Sequence, residues 1–279
     1  MPLNQHCTTM KTPISLVFIL FLLAGCASEK NKVYTTEIGM YTPYALFPEH
    51  LNGRVKKLVE KTYKTRELNG GIVADAPLTL SDRDSIEWTL DFIATFNKDG
   101  LLIQCDEIDE NNKVLSSNKT TFRNRKIVKV DYFKNDSFVN YQKIYFNPEG
   151  RIEKFEVFSS NDSLLYFVDV KSDETGNMLS LVITNSQSQS PTRYDLTYNN
   201  NNQRTGYKYF NSEGEKTFEQ QFFYNDHGFM ERQLIINKSG EESVSLYSFT
   251  YDENKNWIEC IGDDGEAKLL TKREIEYFE

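Results

Sequence analysis

Few residue combinations in this chain have the types and spacing that chemistry demands. Asp252, Asn254, Asn256 and Asp263 occupy positions one, three, five and twelve of a calcium-loop spacing. Position six, however, is Trp257, where such a loop needs glycine for its sharp turn. An aspartate-capped β-turn explains these residues better. Zinc is disfavoured too, because His50, His227, Cys105 and Cys260 lie far apart, none at the spacing of metal ligands. A nucleophile would need a histidine base and an orienting acid. His227 lies inside a turn signal, and no Gly-x-Ser-x-Gly occurs. The 41 acidic residues permit many carboxylate pairs, so a polysaccharide hydrolase working with two acids stays open as an alternative. The expectation is a protein without cofactor, metal or catalysis.

Binding has better candidates. Tyr207 and Tyr209, close to Asn201, Asn202, Gln203 and Arg204, combine flat rings with side-chain amides, a mixture suited to sugars or to protein partners. The two tyrosines share one strand face, which favours stacked core as their reading. Trp257, which opens a return strand, is the third candidate contact.

The N-terminus bears on location. Residues 13–25 form an apolar run that follows Lys11 and ends at Cys26. Such a run is too short to span a bilayer as a helix, which takes about 20 residues, and fits a secretory signal. Leu23-Ala24-Gly25-Cys26 resembles the lipobox of bacterial lipoproteins. That resemblance implies cleavage before Cys26 and acylation of Cys26, with several chains giving a stable anchor. Met10-Lys11 is an alternative start to Met1. The expected division is a signal peptide over 1–25, a flexible tether over 26–45 and a repeat domain over 46–279. Loss of residues 1–25 removes Lys11 alone among the charges, leaving 31 basic against 41 acidic side chains, a net charge of 31 − 41 = −10. Nucleic acid is an improbable partner for so acidic a chain, since phosphate binding needs clustered Lys and Arg.

The repeat domain shows itself in its anchors. Phe96, Phe122, Phe146, Val170, Tyr198, Tyr224, Tyr251 and Tyr277 recur at intervals of 24 to 28 residues, the mark of a unit that buries its apolar face by stacking on neighbours. After most anchors comes a turn signal, such as Asn97-Lys98-Asp99-Gly100 or Asn225-Asp226-His227-Gly228, in which Asn or Asp caps the turn and Gly supplies positive φ. Two residues later an apolar side chain opens a return strand: Leu102, Ile152, Met178, Met230 and Trp257, with Arg204 the exception. A second turn follows about 12 residues on. The pattern predicts about seven β-hairpins joined as an antiparallel meander, an all-β extended twisted sheet or solenoid-like array. Period two over Ile86–Phe96 predicts a strand there, with a helix starting at Ser81 as the competing reading. Residues 53–65 read as a first strand or strand pair, and residues 66–80 as a loop punctuated by Gly70-Gly71 and Pro77. Cys105 and Cys260, near opposite ends of a linear array, are expected to be separate half-buried thiols. A disulfide between them would require the array to close or fold over.

Phe249-Thr250-Tyr251-Asp252-Glu253-Asn254-Lys255-Asn256-Trp257-Ile258 resembles the unit of YD repeats, the Rhs-type repeats of bacterial surface and toxin-delivery proteins, and Arg273-Glu274-Ile275-Glu276-Tyr277 resembles the ending of repeat lipoproteins of Bacteroidota. Asn199 to Asn202 lacks the glycine, and Phe122-Arg123-Asn124-Arg125 lacks both Asp and Gly. The resemblance implies a β-hairpin shell or twisted sheet and no particular activity. Together these features lead to the expectation of a lipid-anchored envelope protein at the outer membrane, facing either periplasm or exterior, that binds a glycan or a partner protein. A purely structural spacer or subunit, joined through open sheet edges, is the remaining alternative.

Overall fold

The computed structural model describes residues 35–39, 48–83, 91–188 and 190–279, with side chains from residue 51 onward except at residue 83. In chain order the elements are β1 (Thr35–Gly39), β2 (Pro48–Asn52), β3 (Val55–Leu68), β4 (Gly71–Pro77), α1 (Leu80–Arg83), β5 (Asp91–Phe96), β6 (Leu102–Ile108), β7 (Val114–Arg123), β8 (Lys126–Lys134), β9 (Ser137–Phe146) and β10 (Ile152–Ser159). They continue as β11 (Leu164–Ser172), β12 (Met178–Asn185), β13 (Pro191–Tyr198), β14 (Arg204–Phe210), β15 (Lys216–Tyr224), β16 (Met230–Asn237), β17 (Glu242–Tyr251), β18 (Trp257–Asp263) and β19 (Lys268–Tyr277). Strands β5 to β19 pair antiparallel with their sequence neighbours. β3 then pairs with β19 on one side and β5 on the other, so that sixteen strands among the described residues close into a barrel. The extended or solenoid-like array is thereby corrected: the meander is antiparallel and all-β, but it is a ring.

Two features account for closure. Every anchor but Val170 lies at or next to the end of an odd-numbered strand from β5 to β19, and at each of these pairings the register shifts by one residue, as between Thr95 and Phe96, Thr121 and Phe122, Thr197 and Tyr198, Phe223 and Tyr224, Thr250 and Tyr251, and Glu276 and Tyr277; on β11 the shift falls at Ser172, two residues past Val170. A bulge repeated once per unit bends the sheet in one sense every time. The units also number eight, one more than expected, because the last anchor strand takes its return strand from the other end of the chain. Tyr277 pairs with Val55 as Phe96 pairs with Leu102, and Val55 stands two residues past Gly53, whose φ is 84°.

The seam is tied side chain to backbone. Asn256 is fully buried; its Nδ2 donates to Asn52 O (2.9 Å) and Tyr277 Oη (2.8 Å), while its Oδ1 accepts from Asn52 N (2.7 Å). Tyr277 Oη in turn donates to Asp252 Oδ2 at 2.6 Å. Other anchors repeat this reach toward the preceding unit: Tyr224 Oη donates to Arg204 O (2.6 Å), and Tyr198 Oη to Met178 O (3.1 Å). Asp252 is therefore occupied as a turn cap and seam acceptor, with Oδ1 also accepting from Asn256 N at 2.9 Å.

Three local expectations change. Residues 66–80 are largely not a loop: β3 runs to Leu68 and β4 begins at Gly71, joined by Asn69 and Gly70 at φ of 53° and 79°. The decisive pair was Asn-Gly, the two-residue hairpin signal, and not Gly-Gly. β4 pairs with the far half of β3 and branches off the ring, and Asp91 Oδ1 accepts from Thr62 N (2.7 Å) where the branch leaves. A helical turn does form, but it starts at Leu80 with Thr79 as its cap, since Thr79 N and Oγ1 both donate to Asp82 Oδ2. The expected strand is seen over Asp91–Phe96; residues 84–90 lie outside the described residues. Within the stretch expected as a tether, β1 pairs with β2; Cys26 and the signal segment lie outside the described residues.

Two substitutions test this architecture. Asn256→Ala removes three hydrogen bonds from a buried seam and is expected to cost about 3 kcal/mol in chemical denaturation, with hydrogen exchange rising first in β3 and β19. Lys255 holds the left-handed position of its turn at φ 64°, where a residue with Cβ is disfavoured by about 1 kcal/mol; Lys255→Gly is expected to stabilise the barrel by that amount, and an unchanged midpoint would count against the turn geometry.

Candidate functional site

Side chains alternate across every strand, and the two faces differ in kind. One face carries a continuous apolar cluster that includes Leu58, Phe92, Phe96, Ile144, Phe155, Val168, Leu181, Leu196 and Phe222, together with most of the anchors. This face is the inner one, because nothing outside a closed wall could bury it over its whole circuit. The other face carries ion pairs along its strands: Lys129–Asp131 (2.7 Å), Lys154–Glu156 (2.8 Å), Arg193–Asp195 (3.0 Å) and Lys272–Glu259 (2.8 Å) within strands, and Lys216–Glu219 (3.0 Å) at the start of β15. Lysines also cover ring faces on this outer wall, with Lys143 Nζ 4.8 Å from Phe158 and Lys154 Nζ 4.9 Å from Phe167. Exposed pairs of this sort contribute little stability; their consequence is charge on the outer wall, beside exposed apolar side chains such as Phe223 and Leu246.

The inner face changes composition along the strands. The anchors other than Val170 form a first layer, near the turns that follow them. Two residues before the strand-end positions come Ala94, Thr120, Ile144, Val170, Leu196, Phe222, Phe249 and Ile275, Val170 falling here because the register shift of β11 lies at Ser172. Two residues earlier again come Phe92, Asn118, Gln142, Val168, Tyr194, Gln220, Tyr247 and Arg273. Amides and tyrosines dominate this third layer. Arg273 is neutralised there by Glu60 on β3 at 2.8 Å and lies 3.3 Å from the Trp257 ring centroid. Tyr247 Oη donates to Gln233 Oε1 at 3.1 Å. Gln142, 4% exposed, has no hydrogen-bond partner at either Nε2 or Oε1, and Asn118, 7% exposed, has none at Oδ1. Beyond this layer some inward residues become more exposed, as at Asn140, Asn185 and Thr192, while Ser116 stays buried, so the interior is more accessible toward the second set of turns beside β9, β12 and β13.

The sequence candidates divide. Tyr207 faces inward and is 7% exposed, packed in the core against Phe222 at 5.9 Å. Tyr209, two residues along the same strand, is half-buried in the third layer, 4.8 Å from Tyr194 and 5.3 Å from Phe218. Trp257, 6% exposed, belongs to a small cluster with Phe229 and Cys260 near the first set of turns. The fold thus joins Tyr207 to Tyr209 on β14 and puts Trp257 apart from them on β18, under the Arg273 guanidinium. Gln142, Asn118, Tyr194 and Gln220 were not singled out from sequence, although a signal existed: each precedes an anchor by four residues and so shares its face. Cys105 and Cys260 are free thiols, both buried and not half-buried. Closure leaves β5, β3 and β19 between their strands, and Cys105 falls in the row of Leu58 while Cys260 falls in that of Thr62. Burial pushes the Cys105 thiol up to about 12, which removes the thiolate on which reactivity depends. Among the described residues no group of His, Cys, Asp and Glu is placed to hold a metal ion.

No protein-family model matches this chain, and no curated protein does. Solved structures do, 48 chains in all. A porin-like protein from Bacteroides uniformis ATCC 8492 aligns over 80% of this chain and 98% of its own at 8% identity, with a TM-score of 0.38. A porin-like protein from Bacteroides vulgatus ATCC 8482 aligns over 81% and 99% at 5% identity, with a TM-score of 0.45. The Photorhabdus luminescens Tc holotoxin pore aligns over 81% of this chain but only 15% of its own at 11% identity, with a TM-score of 0.28. Likeness at this level says nothing about activity or about which face of a wall meets lipid.

The buried tyrosines make the inner face testable by pH. Burial pushes Tyr198, Tyr224 and Tyr247 up to about 12, and Tyr194 and Tyr207 up further. In the unfolded chain a tyrosine ionises near 10. The folded state holds the proton more tightly, so this contribution to stability is complete below about pH 10 and is lost as pH climbs from 10 through 12. Absorbance at 295 nm is expected to rise in two phases, the second coinciding with loss of the β-sheet circular dichroism. A single phase near pH 10 for all 16 tyrosines would contradict the burial of this face.

Proposed function

We propose that this protein is a non-catalytic binding barrel of the bacterial envelope, standing in water and tethered to the outer membrane through an acylated Cys26. The observation that carries the reading is the ion-paired outer wall. A barrel whose wall spans a bilayer shows lipid an apolar band, and each Lys or Arg at mid-depth there costs about 2–4 kcal/mol. Here Lys129, Lys154, Arg193 and Lys272 lie within strands around the circuit. Membrane attachment then falls to the N-terminus, in keeping with the lipobox resemblance at residues 23–26, while the Tyr251-Asp252 unit and its looser copies keep their likeness to YD/Rhs-type repeats.

Binding, to a glycan or a protein partner, is favoured over a spacer role. A spacer or edge-capping subunit needs open edges, and the sixteen-strand ring leaves these only at the short β4 branch and the separate β1–β2 pair. Binding is also supported by the inner layer of amides and tyrosines. One observation speaks for a hydrolase: Glu60 and Glu107 flank Phe92 on the inner face, each paired with it in the ladders. Against it, both carboxylates are already engaged within the wall: Arg273 Nε donates to Glu60 Oε2 and Ser116 Oγ to Glu107 Oε2, each at 2.8 Å.

Fractionation tests the tether. Wild-type protein is expected in the membrane fraction and released by detergent but not by high salt, whereas Cys26→Ala is expected in the soluble envelope fraction with its barrel intact. A Cys26→Ala protein that stays in the bilayer after alkaline extraction would place the wall itself in the membrane and overturn the proposal.

A further inference from the structure

We infer that the inner layer four residues before the anchors is a binding site for a neutral saccharide, entered from the end where the inward residues become exposed. The inference rests on the binding reading above and gives it a location and a ligand class. Its starting point is Gln142. This amide projects inward from β9, is 4% exposed, and neither its Nε2 nor its Oε1 meets a partner. Buried amides are normally hydrogen-bonded, since losing water without replacement is costly. Asn118 Oδ1, two strands away, is in the same condition.

The chemistry around these groups selects the ligand. A side-chain amide offers two donors and an acceptor side by side, which matches the adjacent hydroxyls of a sugar ring, each both donor and acceptor. Tyr194 and Tyr209, cross-strand partners 4.8 Å apart, supply aromatic surface for the C–H faces of such a ring. The one guanidinium in the layer, Arg273, is held by Glu60, so it is not offered to an anionic glycan. Glu107, on the inner face beside Phe92, adds negative charge that repels one. The layer lies away from the packed anchors, and the more exposed inward residues past it, Asn140, Asn185 and Thr192, make a polar path outward. Ordered water alone would satisfy Gln142, but it would not call for amides and tyrosines concentrated at a single level of the wall.

The test uses the full-length protein purified in detergent, titrated calorimetrically with maltohexaose, laminarihexaose and chitotetraose as neutral probes and a heparin pentasaccharide as the anionic one. At least one neutral oligosaccharide is expected to bind, heparin is not, and Gln142→Leu is expected to weaken binding at least tenfold with the melting temperature unchanged or raised. Gln220→Leu, on β15 in the same layer, provides a second variant should Gln142→Leu fail to fold, with the same tenfold loss expected. Equal affinity in folded variants would overturn the inner site and leave glycan binding elsewhere on the protein standing. Failure of every neutral probe to bind the wild type, or tighter binding of heparin, would overturn both the site and its ligand class, while a protein partner found by crosslinking would still satisfy the broader binding reading.

Discussion

The antiparallel ladder between β19 and β3 is the contact on which the rest depends. It joins residues 269–277 to residues 55–64, more than 200 positions apart in the chain, and closes a meander with two open edges into a ring. Every other neighbouring pair in the wall except β3 with β5 is formed by consecutive strands, so contacts up to that point are local and cheap in loop entropy. The seam carries most of the remaining non-local cost, and it is secured accordingly: Asn256, Asn52, Tyr277 and Asp252 form one hydrogen-bonded set across the chain ends. The N-terminal strand completes the C-terminal unit with the same register shift that the other units use internally.

Closure gives the two strand faces their separate characters. A flat array could have been covered on either side, but a ring has one protected side, and the anchors, spaced at even offsets from the aliphatic and amide positions of the same strands, all turn toward it. The opposite positions receive Lys, Arg, Asp and Glu in pairs. That division places the apolar material inside and the charge outside, the reverse of a wall built to meet lipid around an aqueous lumen.

The same alternation explains the graded interior. Aromatic anchors sit beside the turns, where their hydroxyls reach the preceding unit, and the space behind them is filled by aliphatic side chains. Past these the wall no longer needs apolar contact, and amides and tyrosines take over. Tyr207 and Tyr209 illustrate the gradient within one strand: the first is packed among aromatic neighbours, and the second stands at the more open level with Tyr194.

Much of this was legible in the sequence. The eight anchors, the Asn- and Asp-capped turns and the period-two alternation determined the strands, the hairpins and which residues share a face, because turn chemistry and side-chain alternation are local properties. The Asn69-Gly70 hairpin was legible too, though a neighbouring Gly-Gly pair drew the reading toward a loop. Closure was not legible. Whether a repeated bulge carries a sheet into a ring depends on curvature summed over all eight units and on Val55 meeting Tyr277, and no window of sequence contains both. The inner site depends on the same fact: Gln142 lies four residues from Phe146 in any conformation, but only a closed wall turns that position into a buried amide with no partner of its own.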